Sequence, residues 1–87
     1  MFAGQMREAI AATTEALEIV TRLGNPSKMA IGLEQLGAIH ERQGQYAAAL
    51  EKYQQAMKIF QQYGPPPEGF AIIERDIARV RAKLRGG

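Results

Sequence analysis

An all-α fold of four helices is predicted by three observations. Apolar residues recur every three or four positions in four segments. Clusters containing Gly and Pro separate those segments. No stretch shows the period-two alternation that a half-buried strand requires, and Ala, Gln, Glu and Arg, which suit helices, stand where β-branched residues would be expected.

The first helix is predicted from about Phe2 to Leu23, with Met6, Ala9, Ile10, Thr13, Ala16, Leu17, Val20 and Leu23 forming a stripe that ends at Gly24-Asn25-Pro26. The second begins after Ser27, read as its N-cap, and runs to about Gln43 before Gly44. Leu33, Leu36, Ile39 and His40 are its inward residues. The third spans Gln45 to Tyr63 on Tyr46, Ala49, Leu50, Tyr53, Ala56, Met57, Phe60 and Tyr63, and Gly64 with three prolines breaks it. The fourth starts near Pro67 or Glu68 and continues to about Arg85. Its stripe of Phe70, Ile73, Ile77, Val80 and Leu84 falls within a sector of roughly 80°, which leaves a broad polar face.

Eighty-seven residues suffice for one small domain that is short of core. There is no Cys and a single His, so neither a disulfide nor a zinc site can supply the missing stability; packing or association must. The cysteine count also leans towards a cytoplasmic location. Met1 is followed by a polar, amphipathic segment, with no apolar signal core and no run of apolar residues long enough to span a membrane. Residues 1–64 carry six basic and six acidic side chains, whereas residues 65–87 carry five and three, so the whole net charge of +2 belongs to the last helix.

A shift of forty residues aligns the chain with itself. Gly4, Gln5, Ala9, Ala16, Ile19, Gly24 and Pro26 meet Gly44, Gln45, Ala49, Ala56, Ile59, Gly64 and Pro66, seven identities in twenty-three positions. Composition alone would give roughly one or two. A shift of forty-one then places Ala30, Ile31, Leu36 and Ile39 on Ala71, Ile72, Ile77 and Val80. The repeating unit is two helices and two turns, begun and ended mid-unit.

Leu33-x2-Leu36-Gly37-x2-His40, then Gly44, Tyr46 and Ala49-x3-Tyr53-x2-Ala56, resembles a tetratricopeptide repeat of the longer, roughly forty-residue kind. Leu33 stands where that family often has Trp, and His40 where it often has Tyr. Small residues at 37, 49 and 56 let antiparallel helices approach while Leu36, Tyr53 and Phe60 fill the gaps. The resemblance implies one domain over residues 1–87, folded as a right-handed helical solenoid. Residues 3–23 would be the second helix of a partial repeat, 28–63 a full repeat and 68–85 a terminal capping helix. Glu74 and Arg81, in the Leu33 and His40 slots, would put charge where a further helix packs.

For function, the resemblance implies a non-enzymatic module that binds a peptide or protein along the groove lined by first helices. The matching positions are Glu34, Ala38, Glu41 and Arg42, then Arg75, Arg79, Ala82 and Lys83, with Ile72 one turn earlier. Helix geometry agrees for the last helix: Ile72, Arg75, Arg79 and Lys83 lie roughly 160–240° from Ile77, opposite the buried stripe. Such a face suits an acidic or carboxyl-terminated ligand, or is simply solvated.

Self-association is the competing reading. The first helix is apolar on more than one side, and a two-fold dimer through Met6, Ile10 and Leu17 would cover it. Nucleic acid is disfavoured, because Arg79 and Lys83 point away from Arg81 and Arg85 and no aromatics interleave. No motif for catalysis, metal or cofactor appears; His40 reads as a packing residue and Glu8, Glu34 and Glu41 as solvated carboxylates.

Overall fold

The computed structural model describes residues 3–63 and 67–86, excepting the side chains of Ala3, Met6, Val20, Pro67 and Glu68. The expectations for Phe2, Met6, Val20, Gly64, Pro65 and Pro66 therefore lie outside the described residues. Four helices follow one another: α1 (Ala3–Leu23), α2 (Pro26–Arg42), α3 (Tyr46–Tyr63) and α4 (Pro67–Leu84).

Local chemistry sets the boundaries. Gly24 ends α1 with φ of 70°. Asn25, and not Ser27, caps α2: its side chain accepts a 3.1 Å hydrogen bond from the Lys28 N–H. Pro26 then occupies the first turn, where its missing N–H costs nothing and its fixed φ suits the helix. The end of α2 is a Schellman turn. The N–H of Gln45 donates to the carbonyl of His40 at 2.9 Å and that of Gly44 to Glu41 at 3.0 Å. Gly44 takes φ of 77°, a conformation in which any other side chain is strained.

The helices stack pairwise, α1 on α2, α2 on α3 and α3 on α4, with the α2/α3 hairpin the most extensive contact. The body measures 34 × 27 × 17 Å, so its thinnest dimension holds about two helix layers at the usual 8–10 Å spacing. Its core is the seam of α2, α3 and α4, where Ala30, Leu33, Ala49, Tyr53, Ala56, Phe60, Ile73, Ile77 and Val80 are buried. Each large side chain sequestered in this way contributes roughly 1.5–3 kcal/mol. Gly37 permits the closest approach, since a Cβ there would lie 2.7 Å from Cε1 of Tyr53.

The stripes are narrower than expected. Ile39 and His40 are half-buried, and Leu23, Tyr63 and Leu84 are exposed. All three lie in the last turn of their helices. Helix α1 departs furthest: Ala9, Ile10, Thr13 and Leu17 are half-buried, Ala16 and Ile19 are exposed, and no described side chain of this helix is fully buried. The forty-residue alignment makes the reason visible. Ala9, Thr13 and Ala16 match Ala49, Tyr53 and Ala56, which α2 and α4 cover completely. Among the described residues the equivalent face of α1 is covered only in part: Ile31 and Gln35 of α2 share a groove with Thr13 and Ala16, and Ala16 stays exposed.

Candidate functional site: the interhelical grooves

Helices α2 and α4 run in the same direction and flank a groove of about 600 Å³. Glu34, Gln35, Ala38, Glu41 and Arg42 come from α2 and Asp76, Arg79 and Lys83 from α4, while Tyr46 and Tyr53 of α3 form the floor. Period 3.6 brings the α2 residues to one side, opposite Leu33 and Leu36. Six of the nine groove residues expected from sequence meet here: Glu34, Ala38, Glu41, Arg42, Arg79 and Lys83. Ile72, Arg75 and Ala82 do not belong to the lining; all three are exposed on α4.

A hydrogen-bonded chain crosses the groove. Arg79 Nε donates to Glu41 Oε2 at 2.6 Å, and Arg79 Nη2 donates to Glu41 Oε1 and to Asp76 Oδ1, both at 2.8 Å. From below, the hydroxyl of Tyr53 donates to Glu41 Oε1 at 2.9 Å. Two expectations are thereby corrected. Glu41 is not a solvated carboxylate but the acceptor at the centre of this network, and Arg79 is not free to meet a ligand's carboxylate. Helix phase tells which way a side chain leaves its helix, not what a long side chain reaches across a groove.

Electrostatics follow the geometry. The Arg79 guanidinium, aided by the Tyr53 hydroxyl, holds Glu41 below its ordinary value against the opposing effect of burial. Burial, and then the charge on Glu41 through their hydrogen bond, push the Tyr53 phenol up. Glu34 moves the other way: burial raises its carboxyl and the neighbouring Asp76 adds to the effect. The groove is acidic beside Glu34 and Asp76 and basic beside Arg42 and Lys83. Eight residues separate Glu34 from Arg42, a span of roughly 12 Å along the helix.

His40 lies at the edge of this region and is more than a packing residue. Its Nδ1 donates to Gln45 Oε1 at 2.7 Å, tying the end of α2 to the start of α3. Sequence reading missed this contact and also the contributions of Tyr46, Tyr53 and Asp76 to the groove. The match of Asp76 to Gln35 in the repeat alignment was the available signal for the last of these.

Further grooves lie on either side. One of about 640 Å³ runs between α3 and α4, with Met57, Ile77 and Ala78 on its floor and Glu51, Lys58, Glu74 and Arg81 around them. A smaller one, about 110 Å³, lies between α1 and α2 and is lined by Thr13, Ala16, Leu17, Ile31 and Gln35 among others. Among the described residues no group of three His, Asp or Glu is placed to hold a metal ion, and no helix is long and apolar enough to cross a membrane.

Helical hairpins stacked in register, offering grooves between successive first helices, define a helical repeat protein. A family model described as tetratricopeptide repeat matches residues 1–62, and the chain belongs to that family. The architecture is accordingly that family's helical repeat solenoid, a fold that generally mediates protein–protein interaction. No curated protein and no solved structure matched the chain.

Proposed function

We propose that this chain is a non-enzymatic interaction module that binds an extended peptide or a protein segment in the α2/α4 groove. The observation that carries the reading is the groove's construction. Tyr53 is 1 % exposed and holds Glu41 in place, and Glu41 in turn fixes Arg79, so the walls are organised before any ligand arrives. Preorganised walls lower the ordering cost of binding.

The charge arrangement refines the expected acidic ligand. With Arg79 neutralised by Glu41 and Asp76, the cations left to face a partner are Arg42 and Lys83 at one end, and Glu34 faces it at the other. The partner is therefore a segment with an acidic group at the Arg42/Lys83 end and a basic group about 12 Å away, near Glu34.

A displayed library of random peptides selected on the intact chain tests this. Enriched peptides are expected to carry that charge order, and Lys83→Glu or Arg42→Glu to weaken the best of them at least about tenfold, worth 1.4 kcal/mol. Arg75→Glu, outside the lining, leaves binding unchanged. Failure to enrich any sequence, or equal loss with Arg75→Glu, overturns the reading.

Self-association is the second reading, favoured by the incomplete burial of α1. In its simplest form two copies pair by a two-fold axis through Ile10, Leu17 and Met6, the last of which has a side chain outside the described residues.

A further inference from the structure

The two grooves that flank the array are complementary halves of one repeat, and we infer that a second copy of this chain fills them head to tail. The order of elements carries the argument. Helix α1 corresponds to α3, a second helix of the unit, and α4 corresponds to α2, a first helix. The α3/α4 groove is thus the counterpart of the seat that α3 itself occupies against α2. Its α4 wall of Glu74, Ile77, Ala78 and Arg81 matches Leu33, Leu36, Gly37 and His40, the surface of α2 that faces α3. A helix of the α3 type belongs there, and α1 of another copy is such a helix.

Side-chain sizes agree at the tightest point. Within the chain, Gly37 leaves no room for a methyl group because Tyr53 lies against it, 2.7 Å from where a Cβ would stand. In the composite repeat those two slots hold Ala78 and Thr13, so the added methyl on one side is met by a much smaller side chain on the other. Ala9 and Ala16 keep the small residues of Ala49 and Ala56, whose full burial shows how closely a first helix approaches there.

Charge agrees as well. First and second helices pack antiparallel, so the end of α4 that carries Arg81 meets the start of α1, where Glu8 lies. Its Glu74 end meets the end of α1, where Arg22 lies. The charges that α4 carries in the Leu33 and His40 slots are therefore those that α1 can neutralise. The joint continues the α2/α3 packing from copy to copy. Such a heterologous contact does not stop at a pair unless the ring closes. It uses none of the residues that carry the peptide-binding reading, and either can fail alone.

Sedimentation equilibrium of the 87-residue chain over increasing concentration, up to about 1 mM, provides the test. The expected mass rises from 9.6 kDa through the pair to larger species. Ala16→Arg and Ala78→Arg, both at exposed helical positions and each checked for helicity by circular dichroism, block opposite ends. Each variant alone is expected to stay monomeric, and their equimolar mixture to form a single pair, since each retains the end that the other lacks. A chain that remains monomeric throughout overturns the inference without any variant. Growth that stops at a pair, an Ala78→Arg variant that still dimerises by itself, or two blocked variants that fail to pair when mixed overturns it equally.

Discussion

Arg79 and Glu41, 38 residues apart in sequence, are joined by two hydrogen bonds of 2.6 and 2.8 Å that tie α4 directly to α2. Elsewhere these two helices are connected through α3. The guanidinium fork matches the carboxylate on both nitrogens, a geometry that a lysine cannot reproduce. Arg79→Ala is expected to cost about 1 kcal/mol in urea unfolding, kept modest by the exposure of the arginine, and Arg79→Lys to lose most of the same amount. A double-mutant cycle with Glu41→Gln should show that the two losses do not add.

Below that pair, Tyr53 is fixed both by its ring and by its hydroxyl. Tyr53→Phe keeps the packing and removes one hydrogen bond to a charged acceptor, for a loss of about 1.5 kcal/mol. Groove binding should weaken too, since Glu41 and Arg79 lose their anchor.

Gly37→Ala inserts a methyl group against the Tyr53 ring, which cannot swing away while its hydroxyl is held by Glu41. Overpacking of this kind costs about 1–3 kcal/mol, and the better helix propensity of Ala returns at most about 1 kcal/mol. A net fall in thermal midpoint is expected. Gly4→Ala, where a Cβ would meet nothing within 4 Å, should be neutral or slightly stabilising.

The start of α2 offers a discriminating pair. Asn25→Ala removes the side chain that receives the Lys28 N–H and should cost about 1 kcal/mol. Ser27→Ala, on an exposed first-turn residue, should stay within about 0.5 kcal/mol of the parent.

Two carboxylates give stability a pH dependence of opposite sign. Glu41 titrates below its ordinary value of 4.5 when folded, so on acidification the unfolded chain takes up the proton first. Its contribution is complete above that value and lost as pH falls through the folded one. Glu34 titrates above 4.5 when folded, so its contribution is complete below that value and lost as pH rises through the folded one. Glu34→Gln should therefore raise stability at neutral pH. Glu41→Gln should lower it and flatten the acid limb. Urea midpoints measured from about pH 3 to 7 check both signs.

Much of this molecule was legible in its sequence, for reasons that differ by feature. Helix count, the α3 core positions and the close approach at Gly37 follow from period and residue size, which act locally. Six of the nine groove residues followed from the family resemblance, because equal slots in equal helices face the same way. The pairing of Arg79 was not legible, since it depends on Glu41 lying within reach on another helix. Nor was the Asn25 cap, because Asn25 and Ser27 are both good capping residues and only the course of the chain through Pro26 decides between them. Leu23, Tyr63 and Leu84 continue their stripes faithfully yet emerge into solvent, as a periodic pattern does not record which of its turns are covered.

Helix α1, with no described side chain fully buried, is also the element whose amide hydrogens should exchange soonest with solvent. Its main contact among the described residues is with α2, so its opening disrupts that joint and leaves the α2/α3 hairpin intact. Whatever docks on α1 must first suppress that opening. Its apparent affinity is discounted by the fraction of time the helix spends detached, so salt or temperature can tune such docking by shifting that fraction.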